Sequence, residues 1–297
     1  VRLFYPGPTQ NRVVEGPARK GGRNVPAAVG VAVLLIGLVA LSLIFNKVYF
    51  ALLVAVAICV ALWELAGAFA RRAVGLPLLP LWVGTFGACA YVIGPEGLLA
   101  AVFATSGACM VWSFTTQAQY DYGTALEIAH PEDPRTYAHD VVRRSRTLEA
   151  AAAIFSVCYL PFLAGFAVML LAQHQGVGKI VALIALPALS DTGGWLAGIT
   201  FGKHPMAPKI SPKKTWEGFV GSVIATTIGT GVVLWLLGGT LWATPLLALA
   251  VVISATLGDL GESLIKRDLG LKDMSNLLPG HGGLLDRIDS ILTTAPV

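Results

Sequence analysis

The stretch "VYFALLVAVAICVALWELAGAF", residues 48–69, carries a single charged residue, Glu64. A helix rises about 1.5 Å per residue, so some 20 such residues cross the roughly 30 Å hydrocarbon core of a bilayer. Working outward from it, similar apolar runs occur at about 26–45, 76–94, 97–114, 148–172, 179–201, 217–237 and 243–265. The composition agrees. Of 297 residues 55% are hydrophobic and 13% charged, and the mean hydropathy is +0.71, whereas a soluble domain carries about 25% charged residues. The fold expected is an all-α integral membrane protein, a polytopic bundle of about eight transmembrane helices. No nucleic-acid partner is expected.

The polar segments divide the chain. Residues 1–25 read as a disordered basic tail, 26–172 as N-terminal membrane helices with a polar loop at 115–147, and 173–297 as a C-terminal catalytic membrane region. With the N-terminus inside, 19 of the 21 Lys and Arg residues fall on the cytoplasmic side, leaving Lys47 and Lys179 opposite. This positive-inside bias places both termini and the large polar loops in the cytoplasm, in a multi-pass protein of the cell (inner) membrane. The active site is expected near that face. Cys59, Cys89, Cys109 and Cys158 lie in apolar runs without CxxC spacing, and read as small buried hydrophobes.

Charge inside a span is costly, so each instance asks for a reason. Glu64 is expected to snorkel toward Arg71 or Arg72. Asp191 sits in "LPALSDTGGWLAGITFGK" between Pro187 and Gly193-Gly194, where a kink or break is expected. It reads either as a cap in a helix-packing site or as the wall of an active site. Gly194 and Gly198 form a small-xxx-small pair that would let another helix approach closely. Asp259, Glu262, Ser263 and Lys266 follow i, i+3, i+4, i+7 spacing and share one helix face. Such a stripe should face a bundle interior or water, with salt bridges inside the stripe as the plainer alternative.

The loop "GKHPMAPKISPKKTWEG", 202–218, gathers Lys203, Lys209, Lys213 and Lys214 ahead of Thr215, a candidate helix N-cap. It suits a phosphate-rich ligand or a lipid-headgroup patch. "GITFGKH" is one residue short of a P-loop and has His204 where Ser or Thr is needed. Residues 266–290 hold four basic residues, four acids and a histidine around Pro279-Gly280-His281-Gly282-Gly283. Carboxylates at Asp259, Glu262, Asp268, Asp273, Asp286 and Asp289 invite a hard divalent cation. Mg²⁺ typically takes one or two of them, with phosphate and water completing its shell. Lys266, Arg267, Lys272, Arg287 and His281 can neutralise phosphate oxygens. This is equipment for phosphoryl or nucleotidyl transfer. No Ser-His-Asp, HExxH or Cys-His arrangement competes with it.

"SLIKRDLGLKDMSNLLPGHGGLLDRIDS", 263–290, resembles the signature of the phosphatidate cytidylyltransferases. Ser263, Lys266, Arg267, Lys272, Asp273, His281, Gly282, Gly283, Asp286, Arg287 and Asp289 stand at its fixed positions. "SDTGGWLAGITFGK" and "ISPKKTWEG" are also similar to that family, so the likeness covers about 185–290. It implies the reaction CTP + phosphatidate → CDP-diacylglycerol + diphosphate in phospholipid biosynthesis. Mg²⁺ is the implied cofactor, with room for a second, monovalent or divalent, cation. The partners it implies are CTP, phosphatidic acid, the lipid bilayer and a second copy in a homodimer. By the same resemblance the catalytic residues are Asp259, Asp286, Lys266 and Arg287. The metal ligands are Asp259 and Asp286, with Asp191 and Asp289 behind them. Lys209, Ser211, Lys213, Lys214, Arg267, Lys272, Asp273 and His281 fall to the CTP and phosphate groups. A further membrane helix would be expected after the signature, whereas the sequence runs only to Val297. Two other readings stay open: a membrane CTP-dependent transferase acting on a different lipid phosphate or a polyprenol, and a transporter using the Asp191 and Asp259 region.

Overall fold

The computed structural model describes residues 25–72, 74–88, 94–115, 134–278 and 282–297, with side chains at 25–28 and 134–145 left aside. The basic tail, most of the 115–147 loop, Cys89 and His281 therefore lie outside the described residues.

The described residues are mostly helical. In order come α1 (Val25–Phe45), α2 (Lys47–Phe69), α3 (Leu78–Ala88), α4 (Gly94–Thr115), α5 (Pro134–Val157), α6 (Leu163–Ala172) and α7 (Gly176–Phe201). A short hairpin follows, β1 (Pro205–Ala207) and β2 (Ser211–Thr215), then α8 (Trp216–Leu236), α9 (Thr244–Asp268) and α10 (Leu285–Thr294). Among the described residues, six helical stretches are long and apolar enough to cross a membrane: Lys47–Arg72, Gly94–Thr115, Arg146–Ala172, Gly176–Phe201, Trp216–Leu236 and Leu241–Asp268. Two shorter apolar helices, Val29–Phe45 and Leu78–Ala88, fall within the other two expected spans. The bundle is thus a multi-pass membrane protein.

Pro161 and Pro187 fall in the middle of long helical stretches. At Pro161 the helix loosens into a π turn, Cys158–Phe162, that joins α5 to α6, one accepted way of absorbing the missing N–H. At Pro187 the expected break does not occur, and α7 runs unbroken from Gly176 to Phe201. Its neighbour explains this. Gly193 and Gly221 let α7 and α8 touch backbone to backbone: a Cβ on Gly193 would come 2.8 Å from Gly221 O, and one on Gly221 2.7 Å from Gly193 O. Gly194 and Gly198 belong to the same seam, as their spacing predicts, facing Ser222 and Gly218. The buried Ser222 hydroxyl donates to Ser190 O at 2.6 Å. Contact this close supports the helix through the proline.

The main core joins the two halves of the chain. Ile58, Leu62 and Leu65 of α2, Leu78 and Leu81 of α3 and Leu160 pack with Leu269, Leu271, Met274 and Leu285. Four apolar residues of the signature, Leu269, Leu271, Met274 and Leu285, are therefore buried against the N-terminal helices. Among the cysteines, Cys109 is buried and Cys59 half-buried, as expected, but Cys158 is exposed on the bundle surface.

Candidate active site

Every charged residue of this site sits at one end of the bundle because local geometry sends it there. In α9 the i, i+3, i+7 spacing turns Asp259, Glu262 and Lys266 to one side. α10 lies against that side, close enough that a Cβ on Gly258 would meet Asp289 O at 3.0 Å. The Ser254 hydroxyl also donates to Thr293 O. The result is a cluster of Asp259, Glu262 and Asp289 with ligand oxygens within 4.8 Å of one another. Glu262 is 1% exposed, and its Oε1 has no hydrogen-bond partner.

Two lysines address the acids. Lys266 Nζ donates to Glu262 Oε2 and to Asp286 Oδ1, both at 2.7 Å. Lys214, at the end of β2, forms an ion pair with Asp259. Asp286 is fully engaged, since its Oδ2 accepts the N–H groups of Gly283 at 2.8 Å and Met274 at 3.0 Å. Burial alone would raise the Asp286 carboxyl, but the Lys266 charge and hydrogen bond, with the Gly283 N–H, hold it below its ordinary value. For Asp289 the Ser290 N–H and the Lys266 charge pull the same way but are outweighed. Burial, with the charge of Asp259 adding, pushes it up to about 6.

This donor set fits a hard divalent cation. Three carboxylates converge, one buried oxygen lacks a donor, and oxygen ligands with open positions for phosphate are what Mg²⁺ prefers. Glu262, Asp259 and Asp289 form the converging set, while Asp286 stands beyond Lys266 with both oxygens occupied. Asp191 is exposed on α7, within electrostatic reach of Asp259, Lys214 and Arg287.

The remaining candidates lie on the hairpin, at the end of α9, in the loop that follows it and on α10. Arg267 Nε donates to Ile210 O at 3.4 Å, tying the end of α9 to the hairpin. The hairpin is fixed from α8 as well: Glu217 accepts the Lys203 and His204 N–H groups and contacts His204 Nδ1 at 2.6 Å. Thr215 caps α8 by accepting the Gly218 N–H at 3.1 Å, as expected. Lys209, Lys213, Lys272 and Arg287 are exposed, and Ser211 is half-buried at the start of β2. Asp273 lies beside Gly282, whose φ of 83° is in the left-handed region that glycine tolerates.

Two readings are corrected. Glu64 does not reach for Arg71 or Arg72. It is buried at 1% exposure, and its carboxylate accepts the N–H groups of Leu284 (2.9 Å) and Leu285 (2.8 Å) and the Ser275 hydroxyl. Arg71 and Arg72 instead donate to Leu269 O and Asp268 O, cations placed where the carbonyls at the end of α9 attract them. The length of α10 was also missed. "LLDRIDSILTT" has buried Leu285, Asp289 and Leu292 at helical spacing, a signal that the preceding glycines obscured.

The cytidylyltransferase family model matches residues 26–297. The chain is 37% identical over 283 residues to a phosphatidate cytidylyltransferase of Mycobacterium leprae (strain TN), covering 94% of this chain and 87% of that one. It is also 37% identical over 281 residues to the protein of that name from Mycobacterium tuberculosis (strain CDC 1551 / Oshkosh), covering 93% and 81%. A phosphatidate cytidylyltransferase of Haemophilus influenzae is 36% identical over 148 residues, 46% of this chain and 51% of that one.

Proposed function

The chain belongs to the cytidylyltransferase family, and from that premise we propose how its charged end carries out the transfer. It is a nucleotidyltransferase, a phosphatidate cytidylyltransferase making CDP-diacylglycerol and diphosphate from CTP and phosphatidate. A phosphate oxygen of phosphatidate attacks the α-phosphorus of CTP. The new P–O bond forms as the bond to the β-phosphate breaks, and diphosphate leaves with the electron pair. No enzyme nucleophile is needed, because the attacking group is already anionic.

The obstacle is bringing two polyanions together. Asp259, Glu262 and Asp289 would hold Mg²⁺, with Asp286 and Asp191 as further oxygen donors nearby. The ion would supply charge neutralisation and alignment of phosphate oxygens. Lys214 and Lys266 are the residues placed to exchange carboxylate partners for phosphate. Lys209, Lys213, Arg267, Lys272 and Arg287 lower the cost of the incoming charge from around the rim. The observation that carries this reading is the convergence of three carboxylates, one with an orphaned buried oxygen, beside two ion-paired lysines. The bias of 19 among 21 basic residues supports a site at the cytoplasmic face of the cell membrane with both termini inside, and the family resemblance supports a homodimer.

The test uses the full chain in detergent with phosphatidate, CTP and Mg²⁺, reading CDP-diacylglycerol and diphosphate together. Both products should appear in equal amounts, stop on chelation and return with Mg²⁺. Release that persists without phosphatidate, or in Asp259→Asn, would overturn the assignment.

A further inference from the structure

Glu64 lies in α2, more than 200 residues before Ser275, Leu284 and Leu285 of the signature, and the mechanism above makes no use of it. Yet its carboxylate holds the signature loop. Oε1 accepts Leu284 N–H and the Ser275 hydroxyl, and Oε2 accepts Leu285 N–H. These two N–H groups open α10, which has no side-chain cap of its own at Leu284. A buried carboxylate without donors would be very costly. Here three donors and the positive end of a helix receive it.

The preceding N–H, on Gly283, goes to Asp286. The consecutive N–H groups of 283–285 are therefore divided between two carboxylates, one from α2 and one that touches Lys266. Gly283 is wedged between them, since a Cβ there would come 3.0 Å from Asp286 Oδ2 and from Glu64 Oε2. One turn further along α10 stands Asp289, the member of the carboxylate cluster that α9 does not supply. Any slide or rotation of α10 at its N-terminus moves Asp289 relative to Asp259 and Glu262.

We propose that Glu64 is a positioning residue for the cation site: by clamping the start of α10 from α2, it holds Asp289 in ligand range of Asp259 and Glu262. This rests on reading those three carboxylates as the cation site. The N-terminal half thereby sets the metal affinity without touching metal or substrate. Residues that orient metal ligands typically change metal affinity by about 10–100-fold when mutated.

The experiment uses the full chain in detergent and Mn²⁺ alone as the probe, its binding followed by electron paramagnetic resonance without nucleotide. The Mg²⁺ concentration for half-maximal activity and the thermal unfolding midpoint are measured alongside. Glu64→Gln keeps the shape but points an NH₂ group at a backbone N–H, while Ser275→Ala removes one of the three donors. Asn46→Ala removes the cap at the other end of α2, where Asn46 accepts the Val48 N–H at 3.0 Å, and serves as the stability control. Glu64→Gln should weaken Mn²⁺ binding about tenfold or more and raise the Mg²⁺ requirement in step, with kcat largely recovered at saturating Mg²⁺. Ser275→Ala should shift both in the same direction by less, and Asn46→Ala should shift neither. A lowered unfolding midpoint with unchanged Mn²⁺ affinity in Glu64→Gln would make Glu64 merely structural and overturn the proposal. Should Glu64→Gln not fold, unchanged affinity in Ser275→Ala overturns it instead. A wild-type chain that binds no Mn²⁺ removes the cation reading itself, a failure distinct from that of Glu64 alone.

Discussion

Two seams hold the charged end of this bundle, and they are built from opposite materials. The α7–α8 seam is made of Gly193, Gly194, Gly198, Gly218 and Gly221, with backbones in contact. The α9–α10 seam is made of Asp259, Glu262, Lys266, Asp286 and Asp289. In lipid there is little hydrophobic drive between helices, so close packing has to hold the first seam together. The second carries desolvated charge, which the proposed cation site would use. The first therefore fixes where the lysine-bearing hairpin stands, and the second fixes what it faces. Stability and activity should separate accordingly.

The largest effect is expected where the two properties meet. Lys266→Met leaves Glu262 and Asp286 buried without their shared cation, and breaking such a pair costs about 3–5 kcal/mol. The unfolding midpoint and diphosphate release should both collapse. A variant that loses activity while unfolding normally would separate the lysine's chemistry from its role in packing. Next comes Asp289→Asn, which relieves crowding of negative charge. Its unfolding midpoint should hold or rise, while activity falls by about 10²–10³-fold, the scale of a lost electrostatic contact in a transition state. A drop in stability with near-normal turnover would break the division between the seams.

Gly221→Ala tests the opposite seam. Its new Cβ would meet Ala197 Cβ at 2.3 Å and Gly193 O at 2.7 Å, and overpacking of this kind costs about 1–3 kcal/mol. Thermal unfolding in detergent should show the loss, with the Mg²⁺ requirement unchanged in the folded fraction. The smallest effect is expected from Thr215→Ala, the α8 cap, at about 1 kcal/mol. Because Lys214 precedes it, a rise in KM for CTP larger than the fall in stability would show that the cap also aims the lysine.

Much of this was legible in the chain. The spans follow from hydropathy, the Gly194–Gly198 approach from its spacing, the Thr215 cap from its position before an apolar run, and the acidic face of α9 from i, i+3, i+7 arithmetic. These features depend on neighbours in sequence. What was not legible depends on neighbours in space. Glu64 meets its partners across more than 200 residues, and no local pattern reports that. Pro187 suggested a break, and the close glycine contact with α8 that accompanies the unbroken helix is visible only in space. The hairpin was masked by three prolines, although the register Pro205 to Thr215 and Ala207 to Ser211 accommodates them. Glu262 was visible as one carboxylate among six, but its central place in the cluster came only from the packing of α10 on α9.

Leu269, Leu271, Met274 and Leu285 are seated among the side chains of α2 and α3. A fragment of residues 173–297 would keep every charged group of the catalytic motif yet lose the wall on which its loop is moulded. Grafting the motif onto another scaffold would fail for the same reason. A change of side-chain shape in α2 should therefore be felt in the signature loop, although the two are separated by about two-thirds of the chain.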